Sequence, residues 1–293
     1  MLEKVIKNEY GFYELKQKPT AEEQKHNFEE EYFQQEQGSY EASYEQEELI
    51  FFENKIAQKE VAWQRVINMQ EKREILDIGC GEGFLLKYFY KKGHAVLGID
   101  FSRYGVEHNN PEVLPYLLQG DCYVEIEKLI EKGKKFDVVN MDATLDMVQR
   151  PGQLLEMIKK LLKPEGIVSC KVANNYSAFQ MRLLENGTLT KEYWLDEKGH
   201  SWYFNKDGFK AFFDKYGYTC LDIYAEGLIE LNLLNELTNY YEVPQTGKAC
   251  YRGKIRTENL LHEISPEKTN EIMRLFGDMG LGRELVGIFR IKD

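Results

Sequence analysis

The sequence predicts an α/β fold, a doubly wound, mostly parallel sheet of seven strands. Three observations point there. Short apolar runs alternate with amphipathic helical stretches from residue 73 to residue 173, the rhythm of βαβ units with right-handed crossovers. A glycine-rich turn, Asp77-Ile78-Gly79-Cys80-Gly81-Glu82-Gly83, stands where the first strand passes into the first helix. Acids close the next two strands at Asp100 and Asp121, at the edge where open α/β sheets bind ligands.

Taken in order, 74–79 reads as a buried strand and 83–93 as a helix closed by Gly93. Residues 95–100 form the second strand, followed by a short helix from Ser102 to Asn109. The third strand covers 116–121 with its helix at 122–133, and the fourth covers 136–142. Pro151 opens a helix over 151–166 that stops at Pro-Glu-Gly, and 166–173 is the fifth strand. Residues 174–204 lack a clear period and read as a loop-rich connection. Asn205 can cap a helix whose Phe209, Phe212, Phe213 and Tyr216 face inward, before a sixth strand at 218–225. A helical insertion is expected at about 228–284, ahead of the last strand at 285–291.

The N-terminus differs in character. Residues 1–60 hold 15 acidic and 7 basic side chains and ten Tyr or Phe, including Tyr32, Phe33, Tyr40, Tyr44, Phe51 and Phe52. Disordered segments are short of aromatics, so 1–70 reads as an acidic helical cap on a domain spanning 71–293. Ile50, Ile56, Val61 and Val66 recur at helical spacing beside Trp63. Tyr32 and Phe33 are read as packing residues of that cap in preference to a cage around a cation. Glu29-Glu30-Glu31 reads as a solvated helix face.

Composition narrows the function classes. The chain has 293 residues, 43% apolar and 30% charged, enough to bury a real core. Its net charge of −11 repels phosphate backbones and anionic membranes, so neither nucleic acid nor a membrane is the expected partner. No run approaches the roughly 18–20 apolar residues that span a bilayer, and the first residues lack the apolar core of a secretory signal. Five cysteines, at 80, 122, 170, 220 and 250, include no CxxC pair. That pattern fits neither a disulfide framework nor a metal site, and it suggests reduced thiols in a cytoplasm. Oligomeric state is not legible here.

The glycine turn carries the chemistry. Glycines permit a tight bend and remove the Cβ atoms that would hold a ligand away from the backbone, while the helix start adds unpaired N–H groups and partial positive charge. The spacing is GxGxG, but Phe84 occupies the place where a dinucleotide fingerprint wants a third small residue. Phe84 thus argues against NAD or FAD. Asp100, 21 residues after Gly79, is placed to accept both hydroxyls of a ribose. The Asp121 carboxylate could accept from an exocyclic amine such as adenine N6, or cap the helix at 122–133, or both.

DIGCGEG, GIDFS, QGDCYVE, FDVVNMDATLDM and LLKPEGIV, in this order, resemble the class I S-adenosylmethionine-dependent methyltransferases over about residues 73–173. GHSWYFNKDGFKAFFDKYGY is similar to the stretch after strand five in small-molecule members. The resemblance implies that Gly79, Gly81 and Gly83 wrap the methionine part of S-adenosylmethionine, with Asp77 bracing the turn and Cys80 contributing backbone. It implies that Asp100 holds the ribose, that Asp121 and the Cys122 amide read adenine, and that Phe101 packs against the base. The backbone around Met141, from Asn140 to Asp142, would face the methionine amino group.

Two departures lie on the acceptor side. Many relatives carry Leu-Glu-His after strand four, where this chain has Leu145-Asp146-Met147, and Ala173-Asn174 replaces a Pro-Asn pair after strand five. His200 is the candidate general base, with a loop histidine bonded to backbone as the alternative. The expected activity is methyl transfer to a small-molecule acceptor. Its rivals are a protein or RNA methyltransferase, a non-catalytic S-adenosylmethionine-binding protein, and a nicotinamide oxidoreductase. Asn140-Met141-Asp142-Ala143 lacks the Asn/Asp-Pro-Pro-aromatic signature of base amino methylation.

Overall fold

Each apolar run of the alternating region is a strand in the computed structural model, which describes residues 3–20, 22–23 and 44–292. The chain opens with β1 (Val5–Lys7) and β2 (Tyr13–Leu15), then α1 (Gln46–Trp63). The alternating region follows as β3 (Glu74–Ile78), α2 (Phe84–Lys91), β4 (Ala95–Asp100), α3 (Tyr104–Asn109), β5 (Leu117–Gln119), α4 (Cys122–Glu131), β6 (Phe136–Asp142), α5 (Pro151–Lys159) and β7 (Leu162–Ala173). Beyond it come α6 (Ala178–Glu185), β8 (Trp202–Tyr203), α7 (Lys206–Lys215), β9 (Tyr218–Glu226), α8 (Gly247–Ile264), α9 (Pro266–Asp278) and β10 (Glu284–Ile291).

The main sheet has the order β5-β4-β3-β6-β7-β10-β9. Among the described residues β10 alone runs against its neighbours β7 and β9. After β3 the chain builds outward to β5, then returns to place β6 on the other side of β3. That reversal opens a crevice beside the carboxyl end of β3, where the glycine turn begins. Strand alternation divides the core between the two faces. Leu76, Ile78, Val139 and Met141 pack with Leu154, Phe209 and Phe289 on one side. Ile75, Val138 and Ile167 pack with Trp63, Phe89 and Tyr224 on the other.

Trp63 is fully buried and stacks on Phe89 with ring centroids 5.0 Å apart, which fixes α1 against α2. The aromatic face of α7 is buried as expected, and the Asn205 side chain caps it by accepting from Gly208 N at 2.9 Å.

Four expectations change. The helical reading of the first residues is corrected by a β-hairpin: Asn8 turns the chain, Gly11 takes φ +90°, and the fully buried Phe12 packs on Phe204. With β8 this hairpin makes a second, three-stranded antiparallel sheet. The helix over 151–166 stops at Lys159, because Leu161 O accepts from Phe136 N at 2.8 Å and Leu162 pairs with Phe136 in the sheet, while Pro164 and Glu165 at φ +62° lie within the strand that follows. Strand β7 therefore starts at Leu162, and its register slips between the partners of Phe136 and Val138. The connection over 174–204 contains α6, capped by Ser177 accepting from Gln180 N at 3.2 Å. Tyr32, Phe33, Tyr40 and Glu29-Glu30-Glu31 lie outside the described residues.

Candidate functional site

Gly79, Gly81 and Gly83 all have left-handed backbone, at φ +73°, +54° and +76°. Side chains rarely adopt it. Space distinguishes the three. A Cβ on Gly79 would collide with the Thr144 hydroxyl, and one on Gly83 would press on Val113 and Val106 at 3.2 and 3.3 Å. A Cβ on Gly81 would meet nothing within 4 Å. Two of the glycines thus let the turn pack, while Gly81 leaves its outer side open. Gly79 N and Cys80 N donate to Ile99 O at 2.8 and 3.2 Å, tying the turn to the end of β4.

Asp100 completes that tie. Its Oδ2 accepts from Gly81 N at 2.8 Å and its Oδ1 from Ser102 N at 2.9 Å. Burial pushes this carboxyl up to about 6, against the pull of the Ser102, Gly81 and Phe101 amides. A carboxylate has about four lone-pair sites, so acceptor capacity remains for a ligand. Phe101 follows on the same loop, its carbonyl accepting from Gln119 Nε2 at 3.1 Å. Asp121 caps α4, Oδ1 accepting from Tyr123 N at 2.8 Å and Val124 N at 3.3 Å. Cys80 and Cys122 are buried, and burial raises both thiols, Cys122 to about 12. They offer backbone, not nucleophiles.

Toward β6 the polar groups form a chain. The buried Asp77 accepts from Asn140 Nδ2 at 2.7 Å, Lys59 of α1 donates to Asn140 Oδ1 at 3.2 Å, and Lys59 also pairs with Asp142. Burial, then the Asp142 charge, pushes Asp77 up to about 7 against Asn140 and Lys59. Asp142 goes the other way: burial raises it, but Lys59 and Lys171 bring it below the ordinary carboxylate value. The Met141 side chain is fully buried in the core, so only its backbone borders the crevice. Phe84 packs on Phe52 and Tyr44 with centroids 5.1 and 5.9 Å away. The Tyr44 hydroxyl donates to Glu82 at 2.8 Å, so the start of α1 covers the glycine turn.

On the other side of β6, His200 Nδ1 lies 3.3 Å from Oδ2 of the buried Asp146. The Asp146 carbonyl accepts from Ser201 N and Trp202 N at 3.0 and 3.2 Å, which holds the His200 segment to the loop after β6. Burial alone would lower the histidine pKa, but Asp146 and then Asp196 outweigh it, and His200 titrates above the ordinary value. An imidazole within ion-pairing distance of a buried carboxylate is a candidate base. Ala143 and Tyr176, just beyond β6 and β7, hold φ +48° and +51°, strain of the kind that gathers at functional sites.

The structure brings the glycine turn, Asp77, Asp100, Phe101, Asp121 and Cys122 to one sheet edge. The residue reading missed Lys59, and it named Asp146 only as a departure from the relatives' Leu-Glu-His, not as a neighbour of His200. A buried lysine within an amphipathic helix carries no local signal, whereas an acid two residues beyond Thr144 was a usable hint.

A family model described as a methyltransferase domain matches residues 51–223. The chain belongs to the class I S-adenosylmethionine-dependent methyltransferases. The chain is 33% identical over 135 residues to a ubiquinone biosynthesis O-methyltransferase of Dinoroseobacter shibae, covering 44% of this chain and 52% of that protein. The protein of the same name from Pasteurella multocida is 31% identical over 113 residues, 35% and 47% of the two chains. The chain thus spans about half the length of the curated relatives it matches. A solved S-adenosylmethionine-dependent methyltransferase from Archaeoglobus fulgidus shares the fold, with TM-score 0.50, 17% identity, and 80% and 93% of the chains covered. S-Adenosylmethionine is the cofactor of the family.

Proposed function

We propose that this chain transfers a methyl group from S-adenosylmethionine to a small-molecule acceptor by in-line displacement. The observation that carries the reading is the Gly81–Asp100 hydrogen bond, which joins the open glycine face to a second-strand acid with acceptor capacity left. Asp100 would hold the ribose hydroxyls, Asp121 and the Cys122 amide the adenine edge, and Phe101 the base face. The opposed charges of Lys59 and Asp142 suit a carboxylate and an ammonium on one amino-acid group, with Asp77 bracing the turn through Asn140. Gly79, Cys80, Gly83 and the Met141 backbone line the same crevice.

When bound, S-adenosylmethionine supplies an activated methyl on a sulfonium with a neutral leaving group. The chain's own task is orientation and exclusion of water, worth up to about 7–11 kcal/mol in favourable cases. Where the acceptor arrives protonated, His200 would take its proton, held by Asp146, for roughly 10²–10⁴-fold. We assign the chain neither a nucleic-acid nor a membrane partner, in keeping with its charge of −11. No helix among the described residues is long and apolar enough to cross a membrane. Five free cysteines fit the proposed cytoplasmic setting. We keep the division into a cap, 1–70, and a catalytic domain, 71–293, as part of this proposal.

Calorimetric titration with S-adenosylhomocysteine tests it. Saturable binding with no NADH fluorescence quenching is expected. No heat at millimolar S-adenosylhomocysteine would remove the reading.

A further inference from the structure

Three lysines and three glutamates meet above the carboxyl edge of β7 and β9. Lys171 stands near the end of β7, Lys55 comes from α1 and Lys254 from α8. Glu226 ends β9, Glu284 starts the antiparallel β10 directly opposite it, and Glu258 lies one helical turn beyond Lys254. Distances sort the six. Lys55 is committed to Glu258 at 2.6 Å and to Gln58 at 3.0 Å. Lys171 is 3.9 Å from Glu226 and 3.8 Å from Glu284, too far for a hydrogen bond. Lys254 has no carboxylate within ion-pairing distance among the described residues. It lies 4.3 Å from the Phe51 ring centroid and 5.3 Å from that of Tyr251.

Two ammonium groups therefore hold N–H donors that no described residue accepts. Both side chains are half-buried and not sealed from solvent, so an oxyanion entering from solvent can reach these donors. Burial pushes Lys254 down, and the nearby Lys55 and Lys171 add to this against Glu258 and Glu284. Lys171 keeps 21% of its side chain exposed, so the space is reachable. Lys171 stands opposite Asp142 in the β6–β7 register, on the strand end beside the loop that carries Asp146; burial would lower its pKa, but Glu284, Asp142, Glu226 and Asp146 raise it above the ordinary value.

We propose that Lys254 and Lys171 bind an oxyanion, a carboxylate or a phosphate, carried by the methyl acceptor, so that the acceptor is an acid whose nucleophile lies toward His200. This rests on the methyltransferase reading. The Phe51 and Tyr251 rings beside Lys254 favour an acid attached to a flat or apolar body.

The test uses the full chain saturated with S-adenosylhomocysteine and four probes of similar size: benzoate, phenyl phosphate, neutral benzamide and cationic benzylamine. At least one anion should bind tenfold or more tightly than benzamide by calorimetry. Lys254→Met should abolish that preference, Lys254→Arg should retain it, and both variants should bind S-adenosylhomocysteine within twofold of the parent, which also shows that they fold. Benzamide or benzylamine binding as tightly as both anions, or an anion preference that survives Lys254→Met, overturns the inference alone. Failure of S-adenosylhomocysteine to bind the parent chain overturns the methyltransferase reading and this inference with it.

Discussion

Replacing Asp100 by Asn separates binding from folding. The amide keeps one acceptor oxygen and turns the other into a donor, so the Gly81 or the Ser102 N–H loses its partner. A lost hydrogen bond to a charged group costs about 1.5–3 kcal/mol. Against this, the carboxyl titrates at about 6 in the folded chain, and keeping it ionised at neutral pH costs roughly 3 kcal/mol relative to an ordinary aspartate. The amide removes that cost, so the two effects nearly cancel and Tm should move little. Binding has no such offset. Loss of a charge-assisted bond to the ribose should weaken S-adenosylhomocysteine by roughly 10–150-fold. The pH dependence follows from the same shift. A raised folded pKa means that the folded chain holds this proton more tightly than the unfolded one. Stability from Asp100 therefore rises as pH falls through about 6 and levels off below the ordinary carboxyl pKa of about 4. Cofactor affinity, which needs the ionised form, should fall over the same range. Calorimetry at pH 7.5 and pH 5 compares the two chains. Equal affinities at pH 7.5, or a variant that loses as much affinity on acidification as the parent, would refute the ribose assignment.

Gly81→Ala should cost about 1–2 kcal/mol of stability through its positive φ, and at least tenfold in S-adenosylhomocysteine affinity because its Cβ enters the open face. Gly133→Ala, also at positive φ (+65°) with nothing within 4 Å but far from the crevice, should show the stability loss without the binding loss. If both variants bind equally, Gly81 does not face the ligand. Histidine titration by NMR should place His200 above the ordinary value of about 6.5, and Asp146→Asn should bring it down. The pair's stability contribution is full below the ordinary histidine pKa and disappears as pH rises through the elevated one; an unshifted His200 in Asp146→Asn would remove the orienting role. Trp63→Ala should destabilise by about 3–5 kcal/mol, read by denaturant unfolding, since the stacked Trp63–Phe89 pair anchors α1. A loss under 1 kcal/mol would show that α1 is held by other contacts.

Much of this architecture was legible because parallel strands buried on both faces must be near-continuously apolar. Ile75, Leu76, Ile78 and Val138, Val139, Met141 say so directly. The glycine turn and Asp100 were legible because backbone chemistry fixes their spacing. What escaped depends on partners distant in sequence. The hairpin around Gly11 is secured by Phe12 packing on Phe204 and by pairing with Trp202-Tyr203, contacts that no local pattern announces. Lys59 looks like any helix-surface lysine until Asn140 and Asp142 are found opposite it. Likewise Asp146 gained a role only when the segment carrying His200 folded back onto the loop after β6. In the proposed function, His200 thus comes to Asp146 from another part of the chain than the histidine that many relatives carry after strand four.

The central claim is that the Gly81 face and Asp100 together hold the nucleoside. A crystal structure with S-adenosylhomocysteine examines it most directly. Both ribose hydroxyls should lie within hydrogen-bond reach of the Asp100 carboxylate, with the homocysteine chain running over Gly81 toward Lys59. A nucleoside seated elsewhere, or an Asp100 carboxylate turned from the sugar, would contradict the account.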